Sequence, residues 1–86
     1  GLTGMKIPLR YVCEMVCDRV AASQIYLGDK YTDASAWEYY QRSKDHYQMH
    51  PETRALLEKL LCMVRDLGRE RTFAYMKFLL GCENDY

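Results

Sequence analysis

His46 and His50 stand four residues apart, the separation at which one side of a helix can offer two imidazoles to a shared metal ion. Between them lie Tyr47, Gln48 and Met49, so no glutamate fills the base position that a metalloprotease helix places after its first histidine. Glu52 becomes a third ligand only if the chain bends back at Pro51, and acid–base catalysis needs a second group set against the imidazole. A metal-dependent enzyme using His46 and His50 is therefore kept as a second alternative, and no cofactor is expected. The plainer roles are a helix cap for His50 and a hydrogen bond to a tyrosine or carboxylate for His46. Cys13, Cys17, Cys62 and Cys82 lack the paired CxxC spacing of a zinc knuckle. Cys13 and Cys17 fall among Val12, Val16 and Val20, where free thiols behave as small core hydrophobes.

The densest chemistry is aromatic. Eight tyrosines and one tryptophan are more than the core of 86 residues needs, and a tyrosine joins a large apolar body to a polar tip that suits contact surfaces. Trp37, Tyr39, Tyr40, Arg42, His46 and Tyr47 crowd one stretch and form the candidate partner-binding surface. The competing reading has Trp37, Tyr40 and Tyr47 completing the core with their hydroxyls at its rim. A third constellation follows Gly68: Arg69, Arg71, Tyr75 and Lys77 would sit on the recognition helix of a helix-turn-helix, the first alternative.

These side chains need helices to position them. From His50 to Gly68 the sequence HPETRALLEKLLCMVRDLG predicts the best-specified one, with Pro51 at its first position, Glu52 where the helix dipole favours an acid, and Gly68 closing it. Leu56, Leu57, Leu60, Leu61, Met63, Val64 and Leu67 fall in an arc of roughly 160°, wide enough to touch more than one neighbour, so the other helices are expected to pack around this one. Cys62 falls outside the arc and is expected to be partly exposed. A first helix is predicted from Pro8 to Leu27 with Leu9, Val12, Cys13, Val16, Cys17, Val20 and Leu27 inward. The turn-rich GDKYTD follows. Ser35 and Glu38 have capping-box spacing for a second helix over residues 36–49. A fourth is predicted over residues 70–80, with Phe73, Met76, Leu79 and Leu80 inward and Gly81 as its end. The fold class is all-α: one domain over residues 1–86, a small bundle of three long helices and a shorter C-terminal one, with residues 1–6 and 82–86 as flexible tails.

Twelve basic and twelve acidic residues cancel, which argues against nonspecific polyanion binding, since that relies on accumulated positive charge releasing counterions. No apolar run approaches the roughly 20 residues of a membrane span, and no leader pattern precedes the first helix. The expected setting is the cytoplasm.

In the stretches IPLRYVCEMVCDRVAASQIY, YTDASAWEYY and HPETRALLEKLL the chain resembles short uncharacterised bacterial proteins of low-GC Gram-positive species, some borne by phages or mobile elements. The likeness spans about residues 6–80 and brings no catalytic residue with it. It implies a bacterial cytoplasmic origin and an accessory role in a phage or mobile element. Taken together, the expectation is a non-enzymatic binding module that docks on another protein or on a second copy of itself.

Overall fold

In a computed structural model the described residues are 5–44, 48–82 and 86, and those in regular structure are helical, with no strand among them. Four α-helices follow in order: α1 (Leu9–Leu27), α2 (Ser35–Ser43), α3 (Pro51–Leu67) and α4 (Arg69–Leu80). A 3-10 turn, Gly28–Lys30, continues directly from α1.

The helix boundaries follow from local chemistry. Pro8 precedes α1, and Pro51 is the first residue of α3, where its missing N–H is one the helix start leaves unpaired anyway. His50 caps α3: its Nδ1 accepts the Glu52 backbone N–H at 3.0 Å. Gly68 ends α3 with φ 89° and ψ 160°, a conformation essentially reserved for glycine. It is also the only residue between α3 and α4, and its carbonyl accepts both the backbone N–H and the hydroxyl of Thr72.

The ends of the helices fix the topology. The Ile7 N–H donates to Thr53 Oγ1 at 3.2 Å, so α1 and α3 begin at the same end. At the far end the Arg69 guanidinium lies 5.8 Å above the Tyr31 ring, which places the turn after α1 beside the start of α4. Thus α1 and α3 run in parallel, and α2 and α4 return against them. Helices α1 and α3 each touch all the others, whereas α2 and α4 share no substantial contact. The expected hub, α3, is a hub together with α1. The molecule measures 38 × 30 × 18 Å; its thin dimension admits two helix layers and no third, so the outer faces of α2 and α4 meet water.

The core between the layers is Leu9, Val12, Cys13, Val16 and Val20 from α1, Ala36 and Tyr40 from α2, Leu57, Leu60, Leu61 and Val64 from α3, and Met76 from α4. Burial of this many aliphatic side chains, about 1.5–3 kcal/mol each, is the main force holding the helices together.

Several expectations need correction. The shortest helix is α2, because it stops at Ser43 instead of near residue 49; residues 48–50 are irregular, His50 being extended as a residue before proline prefers. The Ser35–Glu38 capping box does not form. Ala34 is the capping position, and Ser35 Oγ accepts the Thr32 N–H at 2.8 Å within the preceding turn. Cys17 is exposed, not core, since the inward stripe of α1 runs through Val12, Cys13, Val16 and Val20. Leu67 and Leu80 lie near helix ends and are substantially exposed.

Candidate functional site

Helix α2 divides its aromatics between inside and outside. Tyr40 is wholly buried, at 0% exposure, and so serves the core and offers no ring to a partner. Its hydroxyl donates to Glu58 Oε2 at 2.7 Å and accepts from Arg54 Nη1 at 3.3 Å, while the Arg19 guanidinium lies 5.9 Å from its ring. Burial first, and the Glu58 carboxylate second, disfavour the phenolate and push the hydroxyl pKa up to about 12. Three helices, α1, α2 and α3, therefore meet around one phenol. By spacing, Arg54 and Glu58 fall outside the apolar arc of α3, on the side expected to meet water. Their one-turn spacing was the available signal, but it does not reveal that α2 brings a hydroxyl between them.

One residue earlier, Tyr39 points the other way, at 56% exposure, with Arg42 exposed one turn further on. Trp37 is half-buried, packs 5.8 Å from Tyr40, and has the Arg65 guanidinium 5.5 Å from its ring. Of the six residues proposed for partner binding, the structure thus leaves Tyr39 and Arg42 outside, Trp37 at the edge and Tyr40 inside. His46 and Tyr47 lie outside the described residues.

For the metal reading, His50 has committed Nδ1 to its capping bond, and His46 lies outside the described residues. Among the described residues, no group of three His, Cys, Asp or Glu side chains is close enough to hold a metal ion. Burial raises the thiol pKa of Cys13, and partial desolvation together with the adjacent Asp18 carboxylate raises that of the exposed Cys17, the opposite of an activated nucleophile.

Of the nucleic-acid alternative, Arg69, Arg71 and Lys77 are exposed and Tyr75 is half-buried beneath Lys59. Arg69 and Arg71 border an open cleft of about 390 Å³ with Asp33, Leu67, Gly68 and Glu70. Two carboxylates and two guanidinium groups line it, so the cleft has no uniform positive field of the kind that attracts phosphates.

Residues 3–63 match the model of a family of unknown function, DUF5662. The chain belongs to that family. The DUF5662 match covers α1, α2 and α3 as far as Met63, so it contains Tyr39, Arg42 and the Arg54–Tyr40–Glu58 cluster, while α4 lies beyond it. No curated protein and no solved structure matches the chain. Among the described residues, no helix is long and apolar enough to cross a membrane.

Proposed function

We propose that this DUF5662 chain is a non-enzymatic helical interaction module that acts by protein–protein contact through the outer face of α2. The observation that carries the reading is the opposite fate of two neighbouring tyrosines. Tyr40 is consumed by the core, while Tyr39 holds an aromatic ring in water, with exposed Arg42 one turn further along the helix. Tyrosine and arginine are the residue types that most often anchor protein interfaces, because each combines a broad apolar surface with directional polar atoms. Trp37, two residues before Tyr39, sits at the edge of this surface on the side toward Tyr40 and Arg65, and the chain continues toward His46 and Tyr47. The resemblance to short bacterial proteins, some borne by phages or mobile elements, supports a bacterial cytoplasmic setting and an accessory role there.

The test is affinity capture from the source cells with quantitative mass spectrometry, comparing the unaltered chain with Tyr39→Ala/Arg42→Ala. Both side chains are exposed, so the double variant should keep its helicity and melting temperature. Specific partners are expected to fall by about tenfold or more, the loss typical of removing interface anchors. Retention of every partner by a folded double variant rejects the α2 surface.

A further inference from the structure

Helix α4 presents a second surface, which has no substantial contact with α2. Only Thr72 and Met76 of α4 are fully buried. Arg71, Tyr75, Phe78 and Cys82 recur at spacings of four, three and four residues, a stripe along one side of the helix and its C-terminal turn. Tyr75 and Phe78 stack with centroids 6.4 Å apart and planes 26° from parallel. Phe78 is 66% exposed, although an isolated phenylalanine on a helix is among the side chains water tolerates least.

Helix α3 borders this stripe with a cation. Lys59 Nζ donates to the Tyr75 hydroxyl at 3.0 Å and lies 5.2 Å from its ring centroid. Seven residues beyond Lys59 on the same side of α3 is Asp66, whose two carboxylate oxygens are both engaged by Arg65, at 2.7 and 3.0 Å. Among the described residues, that bidentate pairing leaves Lys59 and Arg71 as the charges that border the stacked aromatics. In a chain with no net charge, the described residues of this face carry two cations and no unpaired carboxylate.

We infer that the α3–α4 face formed by Lys59, Arg71, Tyr75 and Phe78 docks an acidic amphipathic helix of another protein. The heptad-like spacing of the stripe suits a helix lying along it, whose apolar residues would cover Phe78 and Tyr75. Glutamates flanking that apolar seam would meet Lys59 and Arg71, which sets both charge preference and orientation. A second copy of this chain fits less well, since pairing the face with itself brings four cations together. Duplex DNA also fits less well: two cations around an exposed apolar pair give few phosphate contacts, and Glu70 is carried on the same helix.

The probe is a set of three fluorescein-labelled helical peptides of 18 residues, sharing one leucine–phenylalanine seam and flanked by Glu, Gln or Lys. Fluorescence anisotropy at low salt is expected to show the Glu peptide binding about tenfold tighter than the Gln peptide, an advantage lost at roughly 0.5 M salt, where charges are screened within about 4 Å. Lys59→Glu, Arg71→Glu and Phe78→Ala are each expected to weaken it about tenfold, with Tyr39→Ala/Arg42→Ala unchanged. All these side chains are at the surface, so circular dichroism is expected to show the variants folded.

Equal binding of the Glu and Lys peptides, absence of Glu-peptide binding at about 1 mM, or indifference to Phe78→Ala overturns the inference. A dimer seen by light scattering and abolished by Phe78→Ala would assign the face to a second copy instead. Duplex DNA binding that disappears with Arg71→Glu would assign it to nucleic acid. Loss of the peptide only with Tyr39→Ala/Arg42→Ala would move the site to α2, sinking this inference while leaving the proposed function standing.

Discussion

Tyr40 couples stability to polar chemistry at a single residue. Its ring fills core space and its hydroxyl sits between Glu58 and Arg54. Tyr40→Phe keeps the ring but leaves the Glu58 carboxylate without its donor, an expected loss of about 1–3 kcal/mol in urea denaturation at an unchanged m-value. The same phenol gives an alkaline signature. An unfolded tyrosine releases its proton near pH 10, whereas Tyr40 holds its own to about 12. Between those values the unfolded chain has lost a proton that the folded chain keeps. The contribution is therefore complete below about pH 10 and declines as pH rises toward 12, by roughly 2–3 kcal/mol at 1.36 kcal/mol per pH unit. Denaturation of the unaltered chain at about pH 9 and about pH 11 should show about half of this decline, and Tyr40→Phe should lack that part of it. His50 is a second residue with a defined task. His50→Ala removes the acceptor for the Glu52 N–H and should cost about 1 kcal/mol, whereas His50→Asn should recover most of it, as read from melting temperatures.

At the scale of elements, the α3–Gly68–α4 junction is the tightest connection in the chain. One residue reverses the path, and it does so at φ 89° and ψ 160°. A Cβ placed on Gly68 would meet only Asp33 Oδ2, at 3.8 Å, so space is not the obstacle. The backbone conformation is, and Gly68→Ala should destabilise the chain by about 1–3 kcal/mol in thermal or urea melts. Helix α2 shows a different element-scale effect. Its nine residues are too few to be stable alone, and the burial of Ala36 and Tyr40 against α1 and α3 holds them. The capping-box spacing of Ser35 and Glu38 was legible in the sequence, yet the Thr32–Ser35 turn claimed the serine hydroxyl first.

Across the whole molecule, residues far apart in sequence meet at one end. The Tyr86 hydroxyl bonds Thr53 and the Ile7 carbonyl, Lys6 lies 4.6 Å over the Tyr86 ring, and Lys6 also pairs with Glu52 at 3.0 Å. The Lys6 ammonium holds the Glu52 carboxyl below the usual range. This clasp joins the segment leading into α1, the start of α3 and Tyr86 beyond α4, so Tyr86→Phe should weaken all three together. Native-state hydrogen exchange is the measurement: the first turn of α3 should lose protection by about 1 kcal/mol, while the middle of α1 stays unchanged.

Periodicity sufficed for the all-α class, the start of α3 at Pro51, its end at Gly68 and the buried Leu57, Leu60, Leu61 and Val64, because helix propensity, capping and a broad apolar arc are properties of neighbours in sequence. It also made the second helix conspicuous as an aromatic stretch. Only the tertiary structure decided which of those aromatics are surface. Helical spacing puts Tyr40 with Trp37 and leaves Tyr39 on the adjoining strip, but it does not say which side is covered; the difference arises because α3 brings Arg54 and Glu58 to one side of α2 and leaves water on the other. The same holds for Lys59 and Tyr75, sixteen residues apart and joined by one hydrogen bond. Such pairings depend on how helices lie against one another, and hydrophobic spacing along a single helix does not encode that.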